Sequence, residues 1–116
     1  MSEANRIDLI EFPSRSAEEL KATTTFFSTV FGWAYKEYGG SYSDTQDSGV
    51  TSGFNAIESG RQSAPLAVIY VQDLEATKQS VIDAGGKILQ DIYEFPGGRR
   101  FHFTDPSGNE LAAWSE

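Results

Sequence analysis

Cysteine is absent from the 116-residue chain, which excludes disulfide frameworks, thiolate nucleophiles and cysteine-based zinc sites. Nothing in the chain needs an oxidising compartment. Histidine occurs once, at His102, so any chemistry that needs an imidazole must use that residue. Basic residues are also few: 9 against 17 acidic ones give a net charge of −8, and no basic cluster is longer than Arg99-Arg100. That balance disfavours nucleic acid and anionic membrane surfaces as partners and leaves small molecules. No apolar run approaches membrane-spanning length, and Met1 to Arg6 lacks the apolar core of a signal peptide. A soluble, cytoplasmic protein is the expectation.

What the chain does have is 39% hydrophobic and 13% aromatic residues, enough for one compact domain over 1–116 and too little for two independent ones. The closing stretch Phe101 to Leu111 sets two apolar runs on either side of Asp105-Pro106-Ser107-Gly108-Asn109. There Asp105 can accept backbone N–H bonds and Pro106 pre-sets φ, while Gly108 and Asn109 tolerate positive φ. This predicts a hairpin.

Upstream, Ile7 to Phe12 reads as a strand ended by Pro13. A helix then runs from an N-cap at Ser16 to a stop at Gly32, with Phe26 and Phe27 read as core. Trp33 to Tyr38, Ser41 to Gln46 and Gly49 to Ile57 are three modest strand candidates, followed by a polar linker at Ser59 to Ser63. Beyond the linker the order recurs. Leu66 to Val71 is a strand, Asp73 caps a helix over about 74–84 that Gly85-Gly86 ends, and strands follow at Lys87 to Ile92, Arg99 to Thr104 and Glu110 to Trp114. Both halves read β-α-β-β-β, an internal repeat with modules of about 6–58 and 65–116.

The helix end Val30-Phe31-Gly32-Trp33, then Val71-Gln72-Asp73-Leu74, Ala84-Gly85-Gly86 and the Asp105 to Asn109 turn, in this order, resemble the vicinal oxygen chelate superfamily. That family includes glyoxalase I, bleomycin-resistance proteins and extradiol dioxygenases. The resemblance implies an α+β fold in which two βαβββ modules form a U-shaped mixed sheet around a cavity, in a homodimer. It also implies a divalent metal held by His, Gln or Glu side chains. Matched residue by residue, those positions fall here at Leu9, Leu66 and Ala112, with a further one near Phe54 to Glu58. Leucine and alanine offer a metal no lone pairs, so no cofactor is expected. A metal returns only through a rearranged site of Glu11, His102 and Glu110.

Strand alternation in the phase the resemblance sets puts Leu9, Glu11, Leu66, Val68, Tyr70, Arg100, His102, Glu110, Ala112 and Trp114 on the cavity face. Leu111 and Ala113 then pack against the helices. Most of this set is apolar or aromatic, as in small-ligand pockets. Glu11 and His102 are the acid–base candidates, against the commoner readings of a strand-end surface carboxylate and a hydrogen-bonded strand histidine. Arg100 can pair with an anionic ligand, or with Glu11 or Glu110. Trp33, Tyr35 and Trp114 can stack a planar ligand or simply pack.

Two functions of different class follow. One is a metal-free binder of a small apolar or aromatic molecule. The other is an enzyme, either a lyase or dioxygenase of the lactoylglutathione lyase type with a displaced metal, or a metal-independent acid–base catalyst using Glu11 and His102. A domain that assembles through a sheet edge is a third, plainer reading.

Overall fold

The computed structural model describes residues 3–57 and 63–116. Of the linker at 59–63 only Ser63 lies among them, and Glu58 also lies outside. Ten elements follow in the order β1 (Arg6–Pro13), α1 (Ala17–Phe31), β2 (Lys36–Glu37), β3 (Tyr42–Thr45), β4 (Ser52–Asn55), β5 (Leu66–Tyr70), α2 (Leu74–Asp83), β6 (Lys87–Phe95), β7 (Gly98–Thr104) and β8 (Glu110–Ser115). This is the α+β succession of two βαβββ modules. No helix among the described residues is long and apolar enough to cross a membrane.

The chain divides into two compact units, Met1–Asp8 with Ala67–Glu116, and Leu9–Leu66. In the first, the strand order is β5-β8-β7-β6. Strands β5 and β8 run parallel, whereas β8 with β7 and β7 with β6 run antiparallel. In the second unit the order is β1-β4-β3-β2 with the same pattern of one parallel and two antiparallel pairs. Each module thus closes by bringing its last strand beside its first.

Local chemistry accounts for the helix ends. Ser16 Oγ accepts from Glu19 N and caps α1, and Gly32 at φ 75° ends it with its N–H donated to Ser28 O. Asp73 caps α2 by accepting from Ala76 N. In the second unit Phe54, fully buried on β4, stacks on Phe12 at 5.1 Å and meets Phe27 of α1 at 5.7 Å. Only Leu20 of α1 is buried, and Phe26, read as core from the sequence, is 56% exposed. At 3.6 residues per turn two adjacent phenylalanines lie 100° apart, so one helix face cannot bury both.

In the first unit α2 covers one face of the sheet, where Val71, Leu74, Phe101 and Ala113 form a buried cluster with Ile88, Ile92 and Phe103 packed on it. Two strand ends differ from expectation. Pro13 lies inside β1, whose parallel partner there is Asn55, and β6 runs on to Phe95. It does so because Pro96-Gly97 alone turns the chain, leaving Phe95 opposite Gly98. Trp33 to Tyr38 shrinks to the two residues of β2.

Gly98 sits where a side chain would collide with the Ser115 carbonyl oxygen of β8. Gly98→Ala is expected to destabilise the fold by about 1–3 kcal/mol in urea denaturation. At the other end of the same hairpin Asp105 accepts from the Asn109 side-chain amide at 2.9 Å and from the backbone N–H groups of Ser107 and Asn109. The Asn109 amide first, then these N–H groups, hold its carboxyl below the usual range. Its stabilisation is therefore complete above the unfolded-state value of about 4 and is lost as pH falls through the lower folded value. Urea midpoints measured down a pH series should fall less steeply below about pH 4 for Asp105→Asn than for the parent.

Candidate functional site

The face of the first unit's sheet turned away from α2 carries most of the site residues expected from the sequence. Neighbouring strands align them in two rows. Tyr93, Arg100, Trp114 and Tyr70 lie side by side across β6, β7, β8 and β5, and Gln90, His102, Ala112 and Val68 form the row beside them. Glu110 follows, opposite Thr104. The arginine pair shows how alternation sorts these faces. Arg99 reaches Glu75 of α2 through two bonds of 2.6 and 3.1 Å, and its guanidinium holds the Glu75 carboxyl below its usual range. Arg100, one residue on, turns to the other face.

Aromatic rings floor this face and are held by their polar edges. Tyr70 and Trp114 meet at 5.0 Å and 61°, and Phe95 lies 6.1 Å from Trp114. The Trp114 indole N–H donates to the Asp8 carboxylate at 3.1 and 3.2 Å, and the Tyr70 hydroxyl donates to Glu116 at 2.9 Å. That last bond raises the Tyr70 pKa. With their N–H and O–H groups tied to carboxylates, the rings lose little freedom on meeting a ligand.

A chain of polar groups runs beside these rings. Arg100, 7% exposed, donates Nε–H to the Tyr93 hydroxyl oxygen and lies 5.6 and 5.7 Å from the Tyr93 and Phe95 ring centres. Tyr93 Oη is 2.8 Å from His102 Nε2, and His102 Nδ1 is 3.0 Å from Glu110 Oε2. Only 1% of His102 is exposed, whereas the Glu110 side chain is 41% exposed. An ionised carboxylate can only accept, so Nδ1 carries the hydrogen; in the neutral ring Nε2 then accepts, and Tyr93 donates to it. With the ring neutral and Nδ1 protonated towards the carboxylate, the bonds run from Arg100 to Tyr93 to His102 to Glu110.

Tyr93 is not among the residues singled out from the sequence, because the strand reading there ends at Ile92, one residue short of it. A signal was present in the two-residue Pro96-Gly97 loop. Counting outward from it pairs 95 with 98, 94 with 99 and 93 with 100. Farther along, register shifts between Ile88 and Gln90 and between Gln90 and Tyr93 give β6 extra residues. Ile88 and Ile92 therefore both pack towards α2 while Gln90 and Tyr93 fall opposite His102 and Arg100.

Leu9, Glu11, Trp33 and Leu66 belong to the second unit. Glu11 is buried on β1, with Asn55 Nδ2 donating to its Oε1 at 3.4 Å, and is not the strand-end surface carboxylate that its position beside Pro13 suggested. Leu66 is buried as well. Trp33 stacks on Phe27 of α1 at 4.9 Å and 7° and lies 5.7 Å from Phe31. Phe27 in turn packs on Phe54, which alternation sets on the face of β4 opposite Gly53, the partner of Glu11.

The profile of the glyoxalase/bleomycin resistance protein/dioxygenase superfamily matches residues 9–113. The chain belongs to that superfamily. Solved structures share its fold. They include the NAD-dependent benzaldehyde dehydrogenase from Legionella pneumophila, at TM-score 0.75 and 14% identity, covering 92% of this chain and 96% of that one. A glyoxalase/bleomycin resistance protein/dioxygenase superfamily member from Vibrio splendidus 12B01 matches at 0.69 and 19%, covering 93% and 97%. The Mn(II)-bound glyoxalase from Novosphingobium aromaticivorans matches at 0.65 and 17%, covering 99% of this chain and 40% of that chain. No curated protein sequence matches. At these identities the likeness is one of fold.

A metal of the kind held by a Mn(II)-bound glyoxalase needs side-chain lone pairs. The positions that the resemblance assigns to ligands hold Leu9, Leu66 and Ala112. Both nitrogens of the single histidine are engaged by Tyr93 and Glu110, and among the described residues no three His, Cys, Asp or Glu side chains gather closely enough to hold an ion. The His102 tautomer is directly checkable, since one histidine gives one set of ring signals. Nitrogen-15 NMR at pH 7.5 should show a protonated Nδ1 and an unprotonated Nε2, and the reverse would break the assigned bond order.

Proposed function

We propose that this superfamily member binds a small apolar or aromatic molecule without a metal, on the sheet face where Tyr70, Phe95 and Trp114 are partly exposed. The observation that carries this reading is the ring floor of partly exposed Tyr70, Phe95 and Trp114, held by Asp8 and Glu116. Rings of this kind favour stacking and edge contacts with a planar ligand. Arg100 and Tyr93 at the side of the floor supply the polar contacts that orient such a molecule. The net charge of −8 supports a small-molecule partner over nucleic acid.

The metal-dependent lyase or dioxygenase of the same superfamily is the competing reading. Elemental analysis of gently purified protein, repeated after dialysis against Zn²⁺, Ni²⁺, Mn²⁺ and Fe²⁺ with melting curves, separates the two. Well under one equivalent of metal and an unmoved melting temperature support the metal-free reading, and stoichiometric metal with a raised melting temperature overturns it. Binding itself is read with 8-anilinonaphthalene-1-sulfonate. Trp114→Leu should weaken its affinity about tenfold or more, from lost stacking and apolar contact. Trp33→Leu should leave it unchanged. Equal effects of the two substitutions would overturn the placement.

A further inference from the structure

The bonds that join Arg100, Tyr93, His102 and Glu110 do more than satisfy buried polar groups. A buried imidazole needs two partners, and a backbone carbonyl or a water would serve as well as a phenol. Here the phenol oxygen receives a hydrogen bond from a guanidinium that stays charged at any accessible pH, and in the Nδ1–H tautomer its own hydrogen is directed at His102 Nε2, 2.8 Å away. The far side of that imidazole is bound by a carboxylate. Proton donor, base and orienting acid stand in line at 2.8 and 3.0 Å, the spacing that activates a hydroxyl for proton transfer or nucleophilic attack.

We propose that Tyr93 is the proton-exchanging group of this site, with His102 as its base and Glu110 as the positioning carboxylate. The ligand class is a small molecule with an oxygen or nitrogen that can take a proton from the phenol or give one to its phenolate. This deepens the small-molecule reading above and uses the same sheet face. In the internal step the Tyr93 O–H bond breaks and its proton moves to His102 Nε2. The electron pair stays on Oη as a phenolate held by the Arg100 Nε–H. The imidazolium keeps its Nδ1–H on the ionised Glu110, so charge is balanced along the chain. Because the Glu110 side chain is 41% exposed while His102 is 1% exposed, the carboxylate is the end at which the buried imidazole meets solvent. Neither Glu11 nor a metal enters this step.

Benzenesulfonyl fluoride tests the assignment without knowledge of the natural ligand. The phenolate oxygen attacks sulfur, an S–O bond forms, the S–F bond breaks and fluoride leaves, while the phenol proton remains on His102. At pH 7.5, peptide mapping should show Tyr93 labelled at least tenfold faster than Tyr38, although Tyr38 is the more exposed of the two. His102→Gln should slow Tyr93 labelling at least tenfold with Tyr38 unaffected. Glu110→Gln, a change at the half-exposed end of the chain, should slow it with the melting curve retained, and it stands in if the His102 variant does not fold. Labelling that follows exposure, or a Tyr93 rate indifferent to both substitutions, overturns the proposal. Binding of 8-anilinonaphthalene-1-sulfonate with an unreactive Tyr93 would leave the binding reading standing and this one refuted. A reactive Tyr93 without probe binding would do the reverse.

Discussion

Strand β7 carries a guanidinium and an imidazole two residues apart, both almost without solvent, and much of the first unit is arranged to satisfy them. An unpaired buried cation or polar group costs several kcal/mol, so Arg100 needs an acceptor and His102 needs a partner at each nitrogen. The Tyr93 hydroxyl serves both, by accepting from one and donating to the other. Its position depends on the two-residue loop that extends β6 to Phe95 and on the register shifts that give β6 extra length opposite β7. Glu110 completes the set from the first position of β8. Remove the tyrosine and two buried donors or acceptors lose a partner at once.

The two faces of the same sheet divide the work. Towards α2 lie Val71, Leu74, Phe101 and Ala113, whose burial supplies the hydrophobic contribution to folding. The other face holds its aromatic rings by carboxylates at their edges and joins Arg100, Tyr93, His102 and Glu110 through hydrogen bonds. The single histidine on this face is held at both nitrogens, by Tyr93 and by Glu110.

Much of this architecture was legible in the sequence because its signals are local. Ser16, Gly32, Asp73 and the Asp105 to Asn109 turn each declare an element boundary within four residues of themselves, and all four act as their chemistry indicates. Period-two alternation placed Arg100, His102, Ala112 and Trp114 on one face. The failures lie where a distant residue decides. Phe26 looked like core because apolar neighbours recur at helical spacing, yet the strands under α1 bury Phe27 better and leave Phe26 largely outside. Glu11 looked like a surface carboxylate beside a proline, and its partner Asn55 is 44 positions away. Tyr93 was missed by one residue of strand length.

The polar chain is also local in sequence. Arg100 and Tyr93 are 7 positions apart, Tyr93 and His102 are 9 apart, and His102 and Glu110 are 8 apart. By contrast, the bond from Trp114 to Asp8 spans 106 positions. Hairpins close in roughly 1–10 microseconds, far sooner than contacts that must gather the ends of a chain. The groups that would handle a proton can therefore meet early in folding, as part of two successive hairpins, while the aromatic floor waits for the two ends of the polypeptide to come together. Assembly of the site has an order in time, chemistry before platform.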